Sequence, residues 1–157
     1  MIRHAKSNWE IGQDDFDRTL APRGIADANL VANYVASFLP EQYLIFSSSA
    51  VRARETAILF AKRFGYPLEQ ILLSDSLYTF DDARLELQVR ALPEDYQNII
   101  LFGHNEAITN FVNKFGDMNI DNVSTSGFVS LVFDVDNWRT IRKGRTAKVV
   151  FPRDLKS

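Results

Sequence analysis

Two histidines, His4 and His104, are all that the chain contains, and each stands beside other chemically capable residues. Arg3 precedes His4 directly, while His104 lies between Gly103 and Asn105. A third segment, Ser48-Ser49-Ala50-Val51-Arg52-Ala53-Arg54-Glu55-Thr56, supplies two more arginines. An imidazole that is unprotonated at one nitrogen can attack phosphorus, and guanidinium groups neutralise the phosphoryl oxygens as the group passes across. Paired histidines also suit a metal ion. Here the adjacent arginines would repel a cation, and no carboxylate sits at a metal-ligand spacing beside either histidine. The set therefore favours phosphoryl transfer onto His4, with Arg3, Arg52 and His104 around it.

These residues need elements to bring them together, and the pattern supplies strands that end just before each of them. Met1 to His4 reads as the end of a strand. Tyr43 to Phe46 reads as a buried strand, followed by a helix from about Ala50 to Phe64 that Gly65 stops. Asn98 to Phe102 is apolar after its first residue and reads as a central strand. It leads into a helix with Ala107, Ile108, Phe111, Val112 and Phe115 inward. In open α/β sheets the ligand site lies at the carboxyl ends of the strands, and a helix N-terminus there favours an anion. Arg54 lies roughly 200° around the helix from Arg52, so Arg52 is assigned to the site and Arg54 to the surface.

The remaining elements complete an α/β domain around a central sheet. Pro22 suits a helix first turn, and Ile25, Ala28, Ala32, Val35 and Leu39 follow at helical spacing, widened by Val31 and Phe38. Pro40 ends that helix. Ile71 to Leu73 is expected as a short strand, Asp82 to Leu92 as a helix, and Phe128 to Phe133 and Ala147 to Phe151 as the last strands. Asn8 to Leu20 is polar and irregular. No repeat or linker divides residues 1–157, which read as one domain.

Composition narrows the functional classes. A chain of 157 residues can bury a real core, and 46% apolar residues is ordinary for a globular protein. A formal net charge of −2 lacks the basic footprint of a nucleic-acid binder. The absence of cysteine excludes disulfides, thiolate metal sites and a cysteine nucleophile. No apolar run approaches the roughly 20 residues that span a bilayer, and no apolar leader stands at the start. A cytoplasmic protein is the expectation, without membrane or nucleic-acid partners.

Arg3-His4-Ala5-Lys6-Ser7 resembles the Arg-His signature of the histidine phosphatase superfamily, in the form typical of its small phosphohistidine phosphatase branch, the SixA-like proteins. Asp17 to Gly24, Ser48 to Thr56, Gly103-His104-Asn105, Ser126-Gly127 and Phe151 to Leu155 are similar to further elements of that branch, in the same order. The resemblance implies a three-layer α/β/α sandwich of the phosphoglycerate mutase type with a mostly parallel sheet. It implies that His4 is the nucleophile that becomes phosphohistidine, that Arg3 and Arg52 hold the phosphoryl oxygens, and that His104 stabilises the transferring group. No metal or cofactor is implied.

Four departures matter. Where many superfamily members place a glutamate general acid, this chain reads Asp75 to Asp82. Asp75 is the nearest substitute, while Asp81 and Asp82 equally suit a solvated turn and helix cap. Glu10 stands where the mutases have asparagine, and is expected to point away. Ala21 replaces the usual hydroxyl cap of the first helix. Only Met1 and Ile2 precede the Arg-His pair, so either the strand begins upstream or it is a stub that holds His4 less rigidly. The chain also lacks the insertions that wall the pocket of small-substrate relatives, which predicts a shallow, open site.

Three functions compete on these residues. The first is a phosphohistidine phosphatase acting on a phosphorylated protein such as a histidine phosphotransfer domain. The second is a broad phosphomonoesterase for small phosphate esters. The third is a phosphate- or phosphohistidine-binding module with weak turnover.

Overall fold

A computed structural model describes residues 1–10 and 12–157. Six strands form one sheet: β1 (Ile2–Arg3), β2 (Leu44–Ser48), β3 (Leu72–Ser74), β4 (Ile99–Gly103), β5 (Phe128–Val132) and β6 (Arg145–Val150). Their order is β3-β2-β4-β1-β5-β6. The first four run parallel, whereas β5 and β6 add an antiparallel edge. The mostly parallel sheet inferred from the sequence is thus present, with β4 and β1 at its centre.

Helices α1 (Pro22–Val35) and α2 (Val51–Phe64) cover one face, and α3 (Asp82–Arg90) and α4 (Ala107–Phe115) the other. Side chains of a strand alternate between faces, and β4 shows this: Ile100 and Phe102 join the core beneath α1 and α2, while Leu101 joins that beneath α3 and α4. Ala28, Val31, Ala32 and Val35 of α1 are fully buried, as are Ala57, Phe60 and Ala61 of α2. Gly65 ends α2 with φ 71°, its N–H turned back to Ala61 and Lys62 carbonyls, a left-handed position that costs glycine little.

Several elements depart from the sequence reading. Ile25 is 42% exposed, because the face of α1 that meets the sheet begins at Ala28. The first helix gives way to a 3-10 turn over Ala36–Phe38. β2 continues past Phe46 through Ser47 and Ser48, both fully buried. β3 is an edge strand, which leaves Leu72 and Leu73 largely in solvent. Ala21 is the N-cap of α1 without a side-chain bond. That is as the sequence implies; its backbone N–H bonds the Lys6 carbonyl at 2.9 Å, which ties the start of the helix to the loop after His4.

Although β1 pairs over only two positions with β4, the backbone around His4 is pinned from several directions. The Arg3 N–H reaches the Gly127 carbonyl and the His4 N–H the Gly103 carbonyl, each at 3.1 Å. Ser126, held at φ 61°, donates its N–H to the carbonyls of Arg3 and His4. The Ala5 N–H bonds Thr56 Oγ1 at 2.9 Å. Below β1, the exposed edges of β4 and β5 border an apolar cavity of about 410 Å³. No helix among the described residues is long and apolar enough to cross a membrane.

Gly24 fixes how closely α1 approaches the loop that follows His4. A Cβ there would stand 2.1 Å from the Lys6 carbonyl oxygen and 2.9 Å from its nitrogen. Neither atom can yield without moving the backbone. Gly24→Ala is expected to destabilise the chain by about 1–3 kcal/mol, measured as a lower urea midpoint at unchanged m-value.

Candidate functional site

His4 leaves β1 at the carboxyl end of the parallel strands and is only 8% exposed. Its Nδ1 lies 2.7 Å from the Ala5 carbonyl oxygen. A carbonyl accepts and cannot donate, so Nδ1 carries the ring proton and Nε2 keeps its lone pair. That Nε2 faces Arg52 Nε at 3.4 Å. Burial lowers the His4 pKa to about 3; the Ala5 carbonyl works the other way, and the charges of Arg52, Arg3 and Arg18 lower it further. At neutral pH the ring is unprotonated at Nε2, with a fixed tautomer.

Arg52 comes from the first turn of α2 and is 1% exposed. Thr56, one helical turn on, ties the helix to the loop: its hydroxyl donates to the Arg52 carbonyl at 2.7 Å while accepting the Ala5 N–H. Arg54 is exposed, as the helical geometry required. Arg3 donates Nη1 to the Val123 carbonyl at 2.9 Å, and its buried Nε has no partner.

His104 follows β4, with its ring centre 5.3 Å from that of His4. Its Nε2 lies 2.8 Å from Ser48 Oγ at the end of β2, and its buried Nδ1 has no partner. Burial lowers its pKa to about 2; the charges of His4, Arg52 and Arg18 act in the same direction, and Asp15 opposes them. A buried polar nitrogen without a partner costs about 1–3 kcal/mol. Here it belongs to a ring packed beside His4.

Three participants were not singled out from the sequence. Asp15, in the 3-10 turn Asp15–Asp17, sets Oδ2 3.0 Å from Arg52 Nη2, and its backbone carbonyl accepts Arg52 Nη1 at 2.7 Å. Arg18 is 6% exposed and donates to Asp15 Oδ1 from Nε and Nη2 at 3.2 and 3.0 Å. The Tyr78 hydroxyl donates to Asp15 Oδ2 at 2.5 Å. Burial alone would raise the Asp15 pKa, but the Tyr78 and Arg52 hydrogen bonds, the Arg52 charge and the Arg18 bond outweigh it and hold the value at about 2. The Asp15-x-x-Arg18 spacing within the irregular segment was the available signal.

The structure therefore gathers Arg3, His4, Arg52 and His104 at one place, as the sequence predicts. The expected open, shallow site is absent: Asp15 lies over the arginines, and Tyr78 and Phe80 pack edge-on against His104. Asp75 is exposed at the end of β3, where its carboxylate accepts the Ser49 hydroxyl and bonds neither histidine. Asp81 caps α3 by accepting the Arg84 N–H. Glu10 is exposed; the carboxylate that meets Arg52 comes from Asp15 instead.

The profile of the histidine phosphatase superfamily (branch 1) matches residues 1–73, the stretch that contributes Arg3, His4 and Arg52. That stretch, a little under half of the chain, is similar to the histidine phosphatase superfamily. A candidate phosphohistidine phosphatase SixA from Agrobacterium tumefaciens superposes with a TM-score of 0.76 at 26% identity, covering 95% of this chain and 94% of that one. A protein histidine phosphatase SixA complexed with tungstate gives 0.82 at 19% identity, covering 99% and 97%. The fold is thus the phosphoglycerate mutase-like sandwich. An uncharacterised protein of Mycobacterium tuberculosis (strain CDC 1551 / Oshkosh) is 46% identical over 55 residues, 35% of either chain, so the match spans about a third of that relative's length.

The buried neutral imidazoles make stability depend on pH. Both folded pKa values lie below the ordinary 6.5, so the unfolded chain binds more protons in acid. The contribution is complete above pH 6.5 and is lost as pH falls toward about 3 for His4 and about 2 for His104. Between pH 6 and 4, His4→Asn should flatten the fall of unfolding free energy by about 1 kcal/mol per pH unit. Urea melts across that range check it, and the paired comparison cancels the Met1 amine, which burial lowers to about 5. An unchanged slope would mean that His4 is solvated or charged when folded.

Proposed function

We propose that the chain is a metal-independent phosphohistidine phosphatase that works through a phosphorylated His4. The observation that carries this reading is the fixed tautomer of His4, whose Nδ1–H is held by the Ala5 carbonyl while Nε2 faces Arg52. In the first step the Nε2 lone pair forms a bond to phosphorus, and the bond from phosphorus to the donor imidazole breaks with its electron pair. In the second, water attacks phosphorus, the P–Nε2 bond breaks, and inorganic phosphate leaves. Arg52 and Arg3 neutralise the phosphoryl oxygens, and the unpartnered His104 Nδ1 serves the same group. Metal independence rests on the guanidinium charges beside both histidines, which oppose a cation.

A phosphorylated protein side chain is the substrate proposed, with a histidine phosphotransfer domain as the type of partner. The likeness to SixA structures supports it, including one described with tungstate, a tetrahedral oxyanion. An imidazole leaves phosphorus with far less proton assistance than an alkoxide, which suits a site where the Asp15 carboxylate on Arg52 and Arg18 is held ionised. Asp75 remains the residue proposed to give a proton when an ester is the donor. Small phosphate esters are the alternative substrates.

Incubation with a labelled phosphohistidine donor should trap an acid-labile, base-stable phosphoenzyme that is missing in His4→Ala. Label that persists in His4→Ala would refute the mechanism, and label on His4 that never turns over would indicate a binding module. EDTA should leave turnover unchanged. Asp75→Asn should slow ester hydrolysis by about 10²-fold or more while sparing a phosphohistidine peptide. Equal losses on both substrates would remove Asp75 from the proton-donor role.

A further inference from the structure

The guanidinium fork that a phosphoryl group on His4 requires is already occupied. Arg52 directs Nε at His4 Nε2 and commits Nη1 and Nη2 to Asp15, through the backbone carbonyl at 2.7 Å and Oδ2 at 3.0 Å. The second carboxylate oxygen takes two donors from Arg18, whose Nη1 also reaches the Ser7 hydroxyl. Tyr78 closes the set on Oδ2. One side chain thus presents two anionic oxygens to two arginines and a phenol, a pattern that copies part of a phosphoryl group. Ordinary structural carboxylates do not lie against the group that the nucleophile faces.

Two features make this contact exchangeable. Arg52 is 1% exposed at its side chain and cannot move to meet a ligand, but the Asp15 side chain is 38% exposed and borders solvent. The segment bearing Asp15 lies outside the sheet and is tied down beyond Asp15, by the bridge between Ser7 and Leu20, the Asn8 N–H on the Thr19 carbonyl and the Leu20 N–H on the Glu55 carboxylate. Ionic partners that hold an anion by charge-assisted bonds accept another anion of matching geometry in its place.

Building on the proposed phosphoryl site, we propose that Asp15 is an internal competitor that occupies the Arg52 fork at rest and is displaced by the incoming phosphoryl group. Arrival of substrate and release of the Asp15 turn are then one exchange. Return of the carboxylate to Arg52 helps expel inorganic phosphate. The resting site is electrically balanced without a bound anion, and free phosphate binds weakly because it must first remove a better-placed rival.

Calorimetric titration of the full chain with inorganic phosphate, at pH 7 and constant ionic strength, tests the exchange. Asp15→Asn should lower the phosphate Kd by up to about fivefold, the scale of one partly exposed ion pair. Tyr78→Phe should act in the same direction by a smaller factor, since it removes one bond to the carboxylate and keeps the ring beside Arg52. Asp17→Asn removes the same charge two residues away, from an exposed side chain, and controls for charge alone. An Asp15→Asn variant that binds phosphate no more tightly than Asp17→Asn, or less tightly than the parent, overturns the exchange. In that case Asp15 merely aligns the arginines. If Asp15→Asn fails to fold, Tyr78→Phe decides: tighter binding supports the exchange, and unchanged or weaker binding overturns it. If neither parent nor Asp15→Asn binds phosphate and Arg52→Ala changes nothing, the phosphoryl-site reading falls and takes the exchange with it.

Discussion

Arg52 sets the terms for everything around it. Its side chain is 1% exposed, yet a guanidinium does not give up its proton in a protein. Leaving one partner of a buried pair uncompensated costs about 3–5 kcal/mol, so this charge must meet an anion wherever the fold puts it. The Asp15 turn provides that anion, and Tyr78 and Arg18 complete the carboxylate's hydrogen bonds. The same positive field, added to burial, keeps both imidazoles neutral. A pocket that gathers Arg3, Arg18 and Arg52 is rich in positive charge, and the Asp15 carboxylate sits where it contains that of Arg52 and Arg18.

The scaffold supplies this arrangement at the ends of parallel strands. β1, β2 and β4 deliver His4, Ser48 and His104 to one side of the sheet, and α2 starts beside them with Arg52 in its first turn. β1 is described over two residues, and the backbone at His4 is also bonded from outside that strand. Ser126 in a left-handed conformation, Gly103, Thr56 and the Lys6 loop packed on Gly24 do that work. Core packing and the placement of His4 are therefore the same problem here: the loop packed against Gly24 of α1 also carries the Ala5 carbonyl that locks the His4 tautomer.

Sequence and structure agree where the signal was local. Gly65 after a helical pattern reads as a left-handed stop, and it is one. The angular separation of Arg52 and Arg54 on a helix put one inside and the other outside. Apolar runs located β2, β4 and β5 to within a few residues. They misjudged where β2 ends, since Ser47 and Ser48 are polar yet buried. Ser48 is polar because it meets His104 across the sheet, a pairing that no periodicity reveals. Ile25 misled for the opposite reason: it continues the apolar stripe of α1 beyond the part of the helix that the sheet covers.

By itself the sequence determined the fold class and brought Arg3, His4, Arg52 and His104 forward as candidates, because each sits in a contiguous motif whose chemistry is visible from residue types. Only the tertiary structure decided which ring nitrogen of His4 is free, that the site is covered, and that Asp15, Arg18 and Tyr78 belong to it. Asp15 and Tyr78 lie 63 residues apart and come from an irregular turn and the loop after β3. Their meeting follows from how those loops close over a buried charge. Such a demand exists only once Arg52 is inside, and no stretch of sequence states it.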